Sequence, residues 1–356
     1  MQNENYSFLS ERITDSNIET DLFLLNSDPI FVTAPQADDL KRDELLLKFK
    51  QRVWEIPDNY CDELTPYYSI YYDEIEDNTS FFMHDMIYQD QFKNRMPLED
   101  SLSCKPTLSF RTLIYDSNSH IKFGIPLFYG KMMRLNSKNE VLTSLYLSDY
   151  IQSLPKIKKL DFFMEFKGYS MLNLENFSVS YRKRECLEEI IPVSCYFNKI
   201  LNHSNGNASD RLERTFHFLS NFFHDFNGIY QDLKLAGLGL EIHGQNLLIK
   251  LDAEGISKGE YVYRDLGNCT IETETQKKQT SLNDYYKSNY TYDFDASKLA
   301  DSNYYIWQNY RTFFLCFFIY NLNEFVVREK LRINVYTWFE KMIEELPEIK
   351  GIYCAE

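Results

Sequence analysis

Hydrophobic and polar positions change period several times along this chain, and each change marks an element. Over Asp38 to Val53, Leu40, Leu45, Leu46, Phe49 and Val53 share one face of a predicted helix, with the charges on its solvated face. Strand-like alternation takes over in Pro106 to Tyr115 and returns in Ile121 to Tyr129, and the turn-like Asp116 to Ser119 between them predicts a hairpin. In a regular strand Ser109 and Arg111 share one face. Leu145 to Leu154 reads as a helix, Leu160 to Leu172 has mixed period, and Phe177 to Arg182 reads as a strand. The run Arg182-Lys183-Arg184 is taken as surface. Asn202 to Asp210 is a loop in which Ser209 or Asp210 caps a helix over 211–236, with Leu212, Phe216, Leu219, Phe223, Phe226, Tyr230 and Leu233 as its core stripe. Leu247 to Leu251 and Tyr261 to Tyr263 flank a polar gap containing Gly255 and Gly259, which predicts a second hairpin. Tyr285 to Tyr292 has no assignable period, and two helices, roughly 302–327 and 329–345, close the chain. The apolar run Phe313 to Tyr320 is a buried helix, far short of the ~20 residues a membrane span needs.

Composition narrows the classes. A chain of 356 residues, 44% apolar, can pack one large domain or two ordinary ones. Its net charge of 38 − 53 = −15 repels nucleic-acid phosphate and anionic lipid, so neither nucleic acid nor a membrane is an expected partner. An anionic ligand must therefore meet a local basic pocket. The seven cysteines are scattered without zinc or disulfide spacing, and Met1 to Asn5 lacks the start of a signal peptide, which together predict a cytoplasmic protein. His84, among Phe81, Phe82, Met83 and Met86, reads as packed. The 27 Tyr and 27 Phe exceed what a monomer's core readily buries and point to a homodimer or a partner subunit.

Two polar clusters carry the chemistry. Glu241, His243, Gln245 and Asn246 sit at the mouth of the second hairpin, and Asp265 leaves its second strand at the same end. Asn and Asp converging from neighbouring strand ends suit a magnesium ion on nucleotide phosphates, because that cation takes oxygen ligands and keeps part of its water. The competing reading is that they cap a turn and end a strand. The first hairpin offers Ser109, Arg111, Thr112, Lys122 and Arg134, hydroxyls and cations of the kind that cradle polyphosphate; the alternative is a solvent-facing basic strand pair. A kinase-like small-molecule phosphotransferase also fits Asn246 with Asp265, although Gly244 and Gln245 stand where its catalytic Asp belongs.

Taken in order, Ser109-Phe110-Arg111-Thr112, Lys122, Arg134, Glu241-Ile242-His243-Gly244-Gln245-Asn246 and Arg264-Asp265 resemble the motifs of the NRPS-independent siderophore (NIS) synthetases, the family of the aerobactin synthetases. The resemblance covers about Pro106 to Asp265. It implies an α+β fold likened to a cupped hand, in which an antiparallel sheet, the fingers, faces a mainly helical palm. On that pattern residues 1–104 are an unassigned N-terminal region, 105–158 the fingers and 159–356 the palm. It further implies that Ser109, Arg111, Thr112 and Lys122 contact ATP phosphates, that Gln245 and Asn246 line the nucleotide site, and that Glu241 and Asp265 hold Mg²⁺. His243 and Arg134 become the catalytic candidates, facing a carboxylate substrate, commonly citrate. The implied reaction is adenylation of the carboxylate with loss of pyrophosphate, then attack by an amine or alcohol on the acyl adenylate, in siderophore biosynthesis for iron acquisition. Gly130 and Gly124 replace hydroxyl residues of the family pattern. The family's His-Pro-x-His-Pro-x-x-Lys segment and its usual C-terminal ending have no counterpart, so the expectation is a form shortened at both ends. Three readings follow: a trimmed ligase, the phosphotransferase, or a catalytically degenerate nucleotide-binding partner subunit.

Overall fold

The computed structural model describes residues 68–72, 80–84, 100–102, 105–106, 112–116, 119–124, 128–129, 132–133, 135–170, 178–183, 189–242, 246–290, 292, 294, 310 and 317–354. The helix expected over Asp38 to Val53 and most of the one expected over 302–327 lie outside these residues. Strands β1 (Tyr68–Tyr72), β2 (Ser80–His84) and β3 (Asp100–Leu102) pair antiparallel in the order β2-β1-β3. Next come β4 (Lys105–Pro106), β5 (Thr112–Asp116) and β6 (Ser119–Phe123), then the short ribbon of β7 (Phe128–Tyr129) and β8 (Met132–Met133). The expected hairpin is present as β5 and β6, but its return strand is shorter than Ile121 to Tyr129, because β7 pairs with β8 instead.

Helix α1 (Lys138–Ser153) starts on a capping box: Glu140 N donates to Ser137 Oγ at 3.1 Å, and Ser137 N donates to Glu140 Oε2 at 2.6 Å. The mixed-period stretch after it splits into two strands that serve different sheets, β9 (Leu160–Phe162) and β10 (Glu165–Tyr169). With β11 (Val179–Lys183), β10 completes an all-antiparallel five-stranded sheet in the order β10-β11-β6-β5-β4, so this sheet draws strands from both sides of residue 158. Helix α1 packs over β10 so closely that a side chain at Gly168 would overlap Val141.

The second sheet begins with β12 (Glu189–Pro192), which leads into α2 (Val193–Asn198) and the long α3 (Ala208–Leu235). The cap of α3 is Asn207, not Ser209 or Asp210: Asp210 N donates to Asn207 Oδ1 at 3.0 Å and Asn207 N donates back to Asp210 Oδ2 at 3.1 Å. Asp210 thus serves from the third helical position, and Ser209 already lies inside the first turn. After β13 (Leu238–Gly239), strands β14 (Leu247–Leu251) and β15 (Ser257–Tyr263) form the second predicted hairpin, with β16 (Thr270–Ile271) returning to β13. The sheet order is β12-β14-β15-β9, and β9 runs parallel to β15. Helices α4 (Thr273–Lys277), α5 (Thr280–Tyr290), α6 (Tyr320–Arg328), α7 (Val335–Ile343) and α8 (Pro347–Cys354) complete the order.

The core lies between α3 and this second sheet. Phe222 is fully buried, with ring centroids 5.2–6.1 Å from those of Phe218, Phe223, Phe226, Tyr261 and Phe318. Aromatic packing at this spacing, edge-on more often than stacked, gives a dense core with fixed geometry. Phe317, Phe318 and Ile319, from the longest apolar run, are buried against it. Among the described residues no helix is long and apolar enough to cross a membrane.

Candidate active site at the seam of the two sheets

Strand register decides which side chains face the seam. In the five-stranded sheet Thr112 stands opposite Lys122, Lys122 opposite Ser180, and Arg182 opposite both His120 and Glu165. Opposed residues in antiparallel strands project to the same side, and so do residues two apart on one strand, so Thr112, Lys122, Ser180, Arg182 and Glu165 share one face. Strand β6 is buried along its whole length, with Lys122 included, so this strand does not face solvent.

The second hairpin brings its mouth to this face. Arg264 N donates to Asn246 O at 3.0 Å, extending the β14–β15 pairing by one step, so Asn246 and Asp265 emerge at the same end, as expected. Asp265 is left-handed at φ 78°, a conformation that Asp tolerates better than most residues and that marks strain held at a special position. It turns the chain into a 3₁₀ turn over Leu266–Asn268 that lies against α1, where a Cβ on Gly267 would sit 3.1 Å from Glu140 O. The Tyr263 hydroxyl reaches the carbonyls of Glu241 (3.2 Å) and Asp265 (3.4 Å), and Asn246 Nδ2 donates to Glu241 O at 3.4 Å. These bonds tie the start of the polar motif to its far end.

The two halves meet through charge. Lys122 Nζ pairs with Asp265 Oδ1. Arg182 lays Nε and Nη2 each 3.0 Å from Glu165 Oε1, and its Nη2 is 3.7 Å from Asp265 Oδ1. Glu165 and Arg182 are almost completely buried, whereas the Asp265 side chain is 22% exposed and forms the open end of the cluster. Burial pushes the Glu165 carboxyl above its ordinary value; Arg182 pulls it back, Asp265 pushes it further and Lys122 pulls against both. Burial, joined by repulsion from Arg182, brings the buried Arg264 guanidinium down to about 10. Lys122, Arg182 and Arg264 stand here against Glu165, Asp265 and Glu241, a centre that gathers three cations in a chain of net charge −15. Such a centre is what an anionic ligand of this acidic protein requires.

Of the residues singled out from sequence, Thr112, Lys122, Glu241, Asn246 and Asp265 are described, and the fold gathers them from two sheets at one seam. Ser109, Arg111, Arg134, His243 and Gln245 lie outside the described residues. Two members of the cluster were not singled out as site residues from sequence: Glu165 and Arg182. Arg182 is 3% exposed, which corrects its reading as surface. The reason is that β11 is an inner strand, flanked by β10 and β6. The available signal was that Arg182 falls two residues after Ser180 in a stretch already read as strand.

Magnesium is commonly held by one or two carboxylates plus substrate phosphates, not by a cage made wholly of protein. The donors here fit that pattern. Asp265 offers a carboxylate at the open end, and Glu241 is held beside it, its carbonyl accepting from Asn246 Nδ2 and the Tyr263 hydroxyl. Among those residues no group of three or more His, Cys, Asp or Glu converges on one point.

No family model matches the sequence, and no curated protein matches it. Solved structures do. The ATP-bound aerobactin synthetase IucA from a hypervirulent pathotype of Klebsiella pneumoniae aligns at a TM-score of 0.52 and 14% identity, over 77% of this chain and 56% of that one. Petrobactin biosynthesis protein AsbB from Bacillus anthracis str. Sterne aligns at 0.51 and 14%, over 88% and 58% respectively. Aerobactin synthetase IucC from the same Klebsiella pathotype aligns at 0.51 and 13%, over 91% and 60%. The chain has the fold of the NIS synthetases, the α+β arrangement of antiparallel sheets and helices that its motifs imply. It spans 56–60% of the length of these three structures, and at 13–14% identity the likeness is one of fold.

Proposed function

We propose that the protein is an ATP-dependent ligase of siderophore assembly, which adenylates a citrate-like carboxylate and joins it to an amine or alcohol. The observation that carries this reading is the meeting of Lys122 and Arg182 with Asp265, beside Asn246, on an NIS-synthetase fold. A carboxylate oxygen attacks the α-phosphorus of ATP and the bond to pyrophosphate breaks; the nucleophile then attacks the acyl carbon and AMP departs. The first step brings two anions together, so a site that fixes positive charge in dry surroundings lowers its barrier; in the second the amine or alcohol attacks as a neutral group and releases its proton as AMP departs. Lys122, with Ser109, Arg111 and Thr112, grips the phosphates. Gln245 and Asn246 line the nucleotide, Asp265 and Glu241 hold magnesium, and His243 and Arg134 face the carboxylate. Bound magnesium supplies charge neutralisation on the leaving pyrophosphate.

Product analysis tests the reading. Pure protein given ATP, Mg²⁺, hydroxylamine and a panel of polycarboxylates should form a hydroxamate together with AMP and pyrophosphate. ADP in their place assigns the kinase-like phosphotransferase. Folded protein that binds ATP and yields neither is the nucleotide-binding partner subunit.

A further inference from the structure

We infer that Arg182, braced by Glu165, is a positioning residue of this site: it keeps the Asp265 carboxylate in place when Lys122 is drawn to a nucleotide phosphate. The inference rests on the ATP-dependent reading above. The structure pairs Lys122 with Asp265, yet that reading requires Lys122 to turn toward phosphate and Asp265 to face the cation the phosphate carries. A carboxylate on a left-handed residue, relieved of its lysine, needs a second partner to hold its direction. Arg182 Nη2, 3.7 Å from Asp265 Oδ1, is such a partner.

Arg182 is held where it is. Its Nε and Nη2 both lie 3.0 Å from Glu165 Oε1, and it is 3% exposed, so it does not follow the phosphate as Lys122 does. Glu165 is fixed in turn, because its backbone N donates to Ser148 Oγ of α1 at 3.0 Å. A chain of contacts therefore runs from the packed helix through Ser148, Glu165 and Arg182 to Asp265 at the open end. Glu165 Oε2, buried and without a hydrogen-bond partner among the described residues, shows that this carboxylate is not retained for a saturated hydrogen-bond network. Its contribution is the counter-charge that keeps a guanidinium in a dry seam. Residues that orient a metal ligand without touching the metal work in this way.

The test is calorimetric titration with ATP, in excess EDTA and again with Mg²⁺, on three proteins: wild type, Arg182→Lys, and the double variant Glu165→Gln/Arg182→Met, which removes both buried charges. In wild type Mg²⁺ tightens ATP binding. In the double variant that gain should shrink about 10- to 100-fold, while affinity without metal falls far less. Arg182→Lys keeps the charge but loses the fork that spans two carboxylates, so its gain should be intermediate. A folded double variant with the wild-type gain overturns the positioning role, and so does one whose metal-free affinity falls in step, since Arg182 would then contact phosphate itself. If the double variant does not fold, Arg182→Lys decides, and an unchanged gain overturns the role. Wild type that binds no ATP removes the ATP reading together with this assignment, whereas wild type that binds ATP and passes its full gain to the variants removes this assignment alone.

Discussion

Replacing Arg182 with methionine exposes what the buried ion pair contributes to stability. Methionine keeps much of the aliphatic stem but deletes a guanidinium with two nitrogens 3.0 Å from Glu165 Oε1. Glu165 is then left 2% exposed with no counter-charge in contact among the described residues, where one of its oxygens already lacks a hydrogen bond. Breaking a buried pair from one side costs about 3–5 kcal/mol. Asp265 adds little to this, because it is 22% exposed and keeps Lys122. For a chain of 356 residues the loss corresponds to a fall in Tm of roughly 4–7 °C. Adding Glu165→Gln removes the stranded charge and should recover most of it. The pH dependence has a definite sign. Burial already holds Glu165 above its ordinary value, and without Arg182 pulling back it rises further. Folded Glu165 then keeps a proton at pH values where the unfolded chain has released it, so this contribution is full below the unfolded value and is lost as pH rises through the folded one. The penalty of Arg182→Met relative to wild type should thus be smaller at about pH 5 than at about pH 8. Urea unfolding followed by circular dichroism at both values measures it. Equal destabilisation of the single and double variants, or a penalty that grows toward acid, would refute the reasoning.

Arg111→Ala should weaken ATP binding by about 10- to 100-fold, the loss of a charge-assisted bidentate contact, whereas His243→Ala should leave ATP affinity intact and weaken only carboxylate-dependent turnover. Calorimetry on both checks it, and equal losses would mean that the two sides of the site are exchanged. Phe222→Ala should destabilise by about 3–5 kcal/mol, since its ring meets five others at 5.2–6.1 Å; a loss below about 1 kcal/mol in urea unfolding would contradict the core described here.

Both hairpins were legible because alternation, turn residues and glycines agreed locally, and the convergence of Lys122, Asn246 and Asp265 followed because each falls at a strand end or on a single strand face. Helix α3 was legible from its aromatic stripe, although its cap was misplaced by two or three residues, as the Asn207–Asp210 box depends on where the turn begins. Glu165 and Arg182 escaped for different reasons. The pairing of β10 shifts register between Glu165 and Lys167, so the bulge breaks the alternation that would have marked a strand. Arg182 belongs to a run of three basic residues, and that composition signals solvent unless β11 is known to be an inner strand. Which strands flank it is set by pairings with β6 and β10, and no local pattern encodes those.

The central claim is that this seam activates a carboxylate with ATP, and pyrophosphate exchange measures that step directly. Labelled pyrophosphate should enter ATP only when wild type, Mg²⁺ and the correct polycarboxylate are all present, and Lys122→Met, folded by circular dichroism, should exchange at least about tenfold more slowly for want of its phosphate contact. Exchange that proceeds without any carboxylate, or that is absent across a panel of polycarboxylates with folded, ATP-binding protein, would contradict the account.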